Sequence, residues 1–159
     1  MRMQIGIGCA LVLASSALSP LNARRSYSIS GRELVERSDL VVIAIPTAQT
    51  ADTTECSFFP NVYTKDSLGR VAPLPAAGVE TPFEVSAVLK GDGSVATFVL
   101  HHYRQVTEPA MDGPSVIHFD PAGPRTSGCC LMFLTKEMDG RYAPTGGQTD
   151  LSNSVHRLM

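Results

Sequence analysis

The sequence predicts a mainly β protein: a small antiparallel barrel or sandwich of five to six short strands with one short N-terminal helix. Three observations point to this class. Short β-branched or alternating apolar segments recur along the chain, glycine and proline residues separate them, and one segment near the start carries a helix N-cap. The length of 159 residues suits one domain of ordinary size.

The first 23 residues have the layout of a secretory signal peptide. Arg2 supplies a positive charge, residues 5–13 form a short apolar stretch, and small residues with Pro20 follow. Cleavage after Ala23 fits this layout, and cleavage after Ala17 fits nearly as well. We therefore expect residues 1–23 to be removed and residues 24–159 to form a single exported domain, periplasmic or extracellular, without a transmembrane segment.

The charges of the chain argue against a nucleic-acid partner. Lysine and arginine number 13, aspartate and glutamate number 15, and the formal net charge is −2. The basic residues are scattered along the sequence, whereas a nucleic-acid surface needs them clustered.

The first two elements are a capped helix and a buried strand. Ser30 is a good N-cap, and Glu33 three residues later completes a capping box. Leu34 is expected to face the core, with Val35 as a second candidate. Residues 40–46, LVVIAIP, form a continuous β-branched run that ends at Pro46, which is typical of a strand buried on both faces.

Residues 47–80 are expected to form a long excursion from the domain. Threonine, proline, alanine and glycine are frequent there, and periodicity is weak. The stretch CSFFPNVYT inside it is compatible with a short strand or two. Loops of this length are usually either functional or disordered, and the residue pattern does not decide between these outcomes.

The clearest supersecondary prediction is a hairpin of residues 83–89 and 95–100 around a KGDG turn at 90–93. Loops follow at 104–115 and 120–128, with a short strand at 116–119 between them. Residues 129–134 form a further strand, which an MDG turn connects to a short return strand at 141–143. A short helix or strand ends the chain.

Three of these segments carry a family resemblance. ELVERSDLVVIAIP, TPFEVSAVLKGD and GCCLMFL with DGRYAPTGG resemble exported bacterial proteins whose domain is similar to the tissue inhibitors of metalloproteinases, also called netrin-like. The resemblance covers about residues 30–150 and implies an OB-like barrel: five strands in a Greek key plus a helix. The animal inhibitors chelate the protease zinc through an N-terminal cysteine fixed within a Cys-x-Cys pattern. This chain lacks that pattern, so no functional residue is carried over.

Three cysteines remain after signal cleavage, namely Cys56, Cys129 and Cys130. Neighbouring residues on a strand point to opposite faces, and both faces of the 129–134 strand are apolar, so both of its thiols are expected to be buried. One interpretation is three free thiols. The other is a disulfide from Cys56 to Cys129 or Cys130 that pins the excursion to the barrel. Catalysis is disfavoured, because apolar neighbours raise the pKa of a thiol.

The histidines allow a metal hypothesis. His101 or His102 approaches His118 if their strands are neighbours, and Asp120 or Asp112 then supplies a third ligand of a zinc-type site. The simpler interpretation is that the hairpin ends at this point and the histidines are solvated. We expect no cofactor, and the sequence contains no catalytic motif that we can identify.

The function that these patterns favour is that of an exported, non-catalytic β-barrel module. It would bind a protein or cell-envelope partner through the 47–80 excursion and the two later loops, since binding residues usually lie on loops of a rigid scaffold. One alternative is a metal-binding protein or metal-dependent enzyme using His101 or His102 with His118 and Asp120. Another is a protease inhibitor that acts by loop insertion.

Overall fold

One short helix and seven strands make up the described part of the chain. The structure is a computed structural model, and it describes residues 29–65, 68–106, 119, 128–147 and 153–158. Its elements are α1 (Gly31–Arg37), β1 (Leu40–Pro46), β2 (Ala51–Lys65), β3 (Val71–Lys90), β4 (Thr97–Gln105), β5 (Cys130–Lys136), β6 (Tyr142–Pro144) and β7 (Val155–Arg157).

Five of the strands close a barrel, which confirms the predicted fold class. They follow the order β1-β3-β4-β6-β5, and β5 pairs with β1 to complete the ring. The two extra strands lie outside the ring, where β2 pairs with β3 and β7 pairs with β5. The pairings are antiparallel except for β4 with β6, which run parallel where Leu100 meets Tyr142.

Alternating residues of the strands fill the barrel. The ring of Phe83 stacks on Phe98 at a centroid distance of 5.2 Å. The arms of the predicted hairpin pair there, Phe83 with Phe98 and Glu84 with Thr97, whereas the rest of its first arm pairs with β1.

The same alternation divides β5. Cys130 belongs to the inner core cluster, whereas Leu131 and Phe133 face outward towards α1. The buried inner cluster consists of Leu40, Val42, Ala44, Phe83, Phe98, Leu100, Phe119, Cys130, Met132, Leu134, Tyr142 and Val155.

The helix begins at its predicted cap. Ser30 Oγ accepts a hydrogen bond from Glu33 N at 3.2 Å, and Leu34 is buried against Val41 and Phe133. The expectation for Val35 is wrong, since 42% of this residue is exposed. The helix has only seven residues, and Leu34 is the one that it buries against the outer face of the barrel.

The KGD turn attaches the helix to the barrel. Lys90 Nζ donates to three carbonyl oxygens at the end of α1 and just beyond it: those of Val35 at 2.6 Å, Glu36 at 3.1 Å and Ser38 at 2.6 Å. Gly91 follows with φ 102°, and a Cβ there would lie 2.5 Å from Asp39 O. The most specific motif of the family resemblance thus has a structural role in this chain.

The 47–80 excursion is mainly a β-hairpin. Its strand β2 pairs with the first half of β3, from Ala51 opposite Glu80 to Lys65 opposite Val71. Within the described residues, β4 pairs with β3 only from Ala76 onward, so residues 71–74 pair with β2 alone. The tip of the hairpin therefore extends past the end of the barrel. Alternation was weak in the sequence because β2 contains two irregularities, which shift its register against β3.

The end of the chain follows the predictions where the structure describes it. The strand of residues 129–134 and its return strand appear as β5 and β6, and the final element is the strand β7. Phe119 is buried in the core. The proposed signal peptide, residues 116–118 and most of the two predicted loops lie outside the described residues. No helix of the described residues is long and apolar enough to span a membrane.

Candidate functional site

The adjacent histidines of β4 are both buried, with 3% of His101 and 1% of His102 exposed. The expectation that they are solvated at the end of the hairpin is therefore wrong. The strand continues to Gln105, and neighbouring side chains on it point to opposite faces, so the two imidazoles lie in different environments.

His102 points into the barrel. Its Nε2 lies 3.0 Å from Thr81 Oγ1, which in turn lies 2.8 Å from Thr50 Oγ1. Its ring meets that of Phe119 edge-on at 5.4 Å. Its Nε2 thus has a hydrogen-bond partner inside the core.

His101 points outward and lies between two carboxylates. Its Nδ1 is 2.8 Å from Glu137 Oε2, and its Nε2 is 3.1 Å from Glu55 Oε2. Only 4% of the imidazole is exposed, against 38% of the Glu55 side chain and 30% of the Glu137 side chain. The contact of Nδ1 with Glu137 has hydrogen-bond geometry, and the contact of Nε2 with Glu55 lies within ion-pair distance.

An irregularity in β2 brings Glu55 to this position. Asp52 pairs with Val79 and Cys56 pairs with Ala77, so residues 53–55 lie opposite Gly78 alone. Thr53 Oγ1 donates to Gly78 O at 2.9 Å and accepts from Glu55 N at 3.1 Å. A Cβ on Gly78 would come within 2.9 Å of Glu55 Cβ. The absence of a side chain at Gly78 is therefore what lets Glu55 cross β3 towards β4.

Arg141 connects the turn between β5 and β6 to the other acids. Its Nη1 donates to Glu80 Oε1 at 2.8 Å, and its Nε donates to Asp139 Oδ2 at 2.7 Å. Its guanidinium also lies 3.7 Å from Glu137 and 3.9 Å from Glu55. Hydrogen bonding and the positive charge of Arg141 lower the pKa of Asp139.

Tyr103 completes the group from the same face of β4. Its hydroxyl donates to Glu55 Oε1, and its ring lies 5.1 Å from that of His101. Burial, together with the hydrogen bond to Glu55 and its charge, raises the pKa of Tyr103 to about 12. The phenol therefore stays protonated and serves as a donor. We call this group the His101 cluster: His101, Tyr103, Glu55, Glu80, Glu137, Asp139 and Arg141.

The metal hypothesis gains no support from the described residues. No group of three or more histidine, cysteine, aspartate or glutamate side chains there is arranged to hold a metal ion. His101 contacts two carboxylates, and His102 contacts Thr81. His118, Asp120 and Asp112 lie outside the described residues, so a site that includes them stays a prediction.

The three cysteines have free thiols in the structure. Cys56 is exposed on β2, and Cys130 is buried with 2% exposed. The expectation that the Cys129 thiol is buried too is wrong, since Cys129 precedes β5 and is only partly buried. Burial raises the pKa of the Cys130 thiol, as its apolar neighbours led us to expect. The Cys56 disulfide stays a prediction.

The tip of the β2–β3 hairpin has one exposed face. Phe58 lies opposite Pro75, Tyr63 opposite Pro73 and Lys65 opposite Val71, so these residues share one side of the hairpin. The exposed fraction is 59% for Phe58, 63% for Tyr63 and 60% for Val71. The other side holds a buried cluster of Phe59, Leu74 and Ala76. We call the exposed side the hairpin face: Phe58, Tyr63, Val71, Pro73 and Pro75.

Comparisons of the chain with family models, curated proteins and solved structures return no match. The resemblance to the tissue inhibitors of metalloproteinases and the protease-inhibitor alternative therefore stay predictions.

Sequence reasoning did not identify the His101 cluster. Three signals were present in the sequence. His101 and Tyr103 alternate on one strand, and Glu137 and Arg141 flank a DG turn. A third signal was Gly78, since glycine within a strand often marks an irregularity or a close approach of two backbones. None of these signals indicates which residue on another strand contacts His101.

Proposed function

We propose that this chain is an exported, non-catalytic β-barrel module that binds a protein or another cell-envelope component through the hairpin face. The observation that carries the proposal is the exposure of Phe58, Tyr63 and Val71 on a hairpin that extends past the barrel. Contiguous exposed apolar side chains are uncommon on monomeric proteins and usually mark an interaction surface.

The edges of the hairpin favour recognition through side chains over addition of a strand. Val106 N donates to Pro75 O at 3.5 Å, so this edge of β3 faces β4, and Pro73 faces the same way two residues earlier. A proline has no N–H to offer to an incoming strand. On the other edge, the irregularities of β2 disturb the spacing of its free backbone groups, which protects an edge strand from pairing.

Loss of binding in a double variant of the hairpin face tests the proposal. Phe58→Ser with Tyr63→Ser removes two large apolar side chains, both more than half exposed, so the barrel should keep its stability. We expect the purified wild-type chain to capture a discrete partner from solubilised cell-envelope fractions after crosslinking, and the double variant to lose that species.

A matched control separates specific binding from general stickiness. Leu89 is 58% exposed near the opposite end of β3, so Leu89→Ser removes a similar apolar area away from the hairpin. Capture should be unchanged in Leu89→Ser. Equal loss in both variants, or equal capture by all three proteins, would count against the hairpin face.

Export rests on the signal-peptide layout of residues 1–23. The intact mass of protein recovered from the periplasm or medium should correspond to a chain that begins after Ala23 or after Ala17. Full-length mass confined to the cytoplasm would contradict the export part of the proposal.

A further inference from the structure

A single buried side chain contacts two regions of the surface that are distant in sequence. His101 contacts Glu55 at the base of the β2–β3 hairpin and Glu137 in the turn between β5 and β6, and Glu137 lies 36 residues further along the chain. The turn itself is closed by Arg141 O, which accepts from Glu137 N at 2.8 Å. At its apex, Met138 is fully exposed.

We infer that His101 couples the hairpin to the β5–β6 turn, so that a contact made at either of these surfaces changes the order of the other. The charges of the cluster supply the reason. Four carboxylates, those of Glu55, Glu80, Glu137 and Asp139, gather around one guanidinium and one imidazole. The imidazole stands between Glu55 and Glu137 and is in contact with both, so a displacement of either carboxylate removes a contact of the same ring.

The imidazole has little freedom to move independently of its partners. The ring is 4% exposed and lies beside Tyr103, whose hydroxyl donates to Glu55. A shift of Glu137 therefore disturbs the hydrogen bond at Nδ1 of the ring. The same ring contacts Glu55 through Nε2, so the disturbance reaches the base of the hairpin. Coupling between two sites is reciprocal, so displacement of Glu55 should loosen the turn as well.

The functional consequence is a module with two linked surfaces. A partner that orders the turn around Met138 would also order the base of the hairpin, and the hairpin face would be presented in a more fixed orientation. This inference concerns the hairpin whatever binds to it. Its test uses no partner, so its failure and the failure of the proposed function are distinguishable.

Hydrogen exchange on the purified mature chain tests the coupling. In Glu137→Ala, amides of residues 51–58 should exchange at least about 5-fold faster than in the wild type, the lower end of typical coupling between sites. In Glu55→Ala, amides of residues 137–141 should accelerate in the same way. Unchanged exchange at the distant element in both variants would overturn the inference.

Asp139→Ala is the matched control. Asp139 lies in the same turn and bonds to Arg141, but its hydrogen bonds do not include His101. It should loosen the turn with little effect on residues 51–58. If Asp139→Ala speeds the exchange of residues 51–58 as much as Glu137→Ala does, the turn as a whole, and not His101, transmits the change.

A double-mutant cycle assigns the effect to the imidazole. In a His101→Leu background, Glu137→Ala should no longer change the exchange of residues 51–58. An effect that persists in that background would contradict the role of His101. If His101→Leu does not fold, as judged by loss of a cooperative thermal transition, His101→Gln replaces it in the same cycle.

Discussion

Because Gly78 has no side chain, Thr53 and Glu55 of β2 can lie close to the backbone of β3. Gly78 lies on β3 opposite residues 53–55 of β2, and an added Cβ would meet Thr53 Oγ1 at 2.7 Å and Glu55 Cβ at 2.9 Å. Both neighbours belong to the irregularity that directs Glu55 to His101. The His101 cluster therefore depends on a residue that contributes no functional group to it.

Gly78→Ala should lower the free energy of unfolding by about 1–3 kcal/mol, the usual cost of overpacking. Glu55 should also move away from His101, which NMR shifts of the imidazole would report. Gly93→Ala is the control, because a Cβ on Gly93 meets nothing within 4 Å. Similar stability of the two variants in urea would contradict the close approach at Gly78.

The pKa of Tyr103 gives a pH-dependent prediction. In the folded chain, the pKa is raised from 10.0 to about 12, so the folded state favours the protonated phenol. The contribution to stability is therefore complete below pH 10.0 and is lost as the pH rises from 10.0 to about 12. An ultraviolet titration of the wild type minus that of Tyr103→Phe should show one phenol that ionises near pH 12. Ionisation near the ordinary value would contradict the bond to Glu55.

The thiols should differ in reactivity. Alkylation of the native protein followed by mass spectrometry should modify the exposed Cys56 first, Cys129 more slowly, and the buried Cys130 only after unfolding. The burial of Cys130 and the raised pKa of its thiol are the reasons. If only one cysteine is alkylated even in denaturant, the predicted disulfide from Cys56 is present instead.

At the scale of elements, Lys90 shows that a turn motif can hold a helix in place. Its ammonium group donates to the carbonyls of Val35, Glu36 and Ser38, which α1 itself leaves without helical partners. Asp92 shapes the rest of the turn, because its Oδ1 accepts from Ser94 N and Ser94 Oγ.

Lys90→Met keeps the length of the side chain and removes these three bonds. We expect a loss of about 1–3 kcal/mol in the free energy of unfolding, since hydrogen bonds from charged groups contribute that much. The helical signal of circular dichroism should weaken as well. Lys136→Met, on the exposed end of β5, should stay close to the wild type. Equal stability of Lys90→Met and Lys136→Met would count against this role of Lys90.

Elements with a local signature could be predicted from the sequence. Ser30 and Glu33 fix the start of α1, continuous β-branching marks β1, and a KGDG turn separates β3 from β4. The β2–β3 hairpin and the His101 cluster lack such a signature. Tyr103 and Glu55 are 48 residues apart, and their contact depends on register shifts that no local pattern specifies. The burial of His101 was missed for the same reason, since Glu137 covers it from another hairpin.

For the whole molecule, the inner core of the barrel and the buried cluster of the hairpin tip are two distinct clusters. The inner core cluster contains no residue of β2, and the tip has its own buried cluster of Phe59, Leu74 and Ala76. The two meet on the outer side of β4, where Tyr103 packs against the tip cluster, so we expect the inner core to survive changes in the tip.

Replacement of residues 60–73 with an Asn-Gly turn tests this separation. The register places Phe58 opposite Pro75, so a two-residue turn after Phe59 rejoins the strands. We expect the melting temperature to change by less than about 5 °C, a shift of roughly 1 kcal/mol. Binding through the hairpin face should be lost. Failure of this variant to fold would show that the tip stabilises the barrel.

The pairing that closes the barrel also sets the order in which the molecule can form. Leu40 pairs with Leu134, and Ala44 pairs with Cys130, so β1 can pair with β5 only after about 90 further residues have been made. Contacts this distant along the chain make folding slow compared with that of helical domains. The barrel of a nascent chain therefore cannot close before β5 has been made, and an export machinery that acts earlier than that would meet a chain whose barrel is still open.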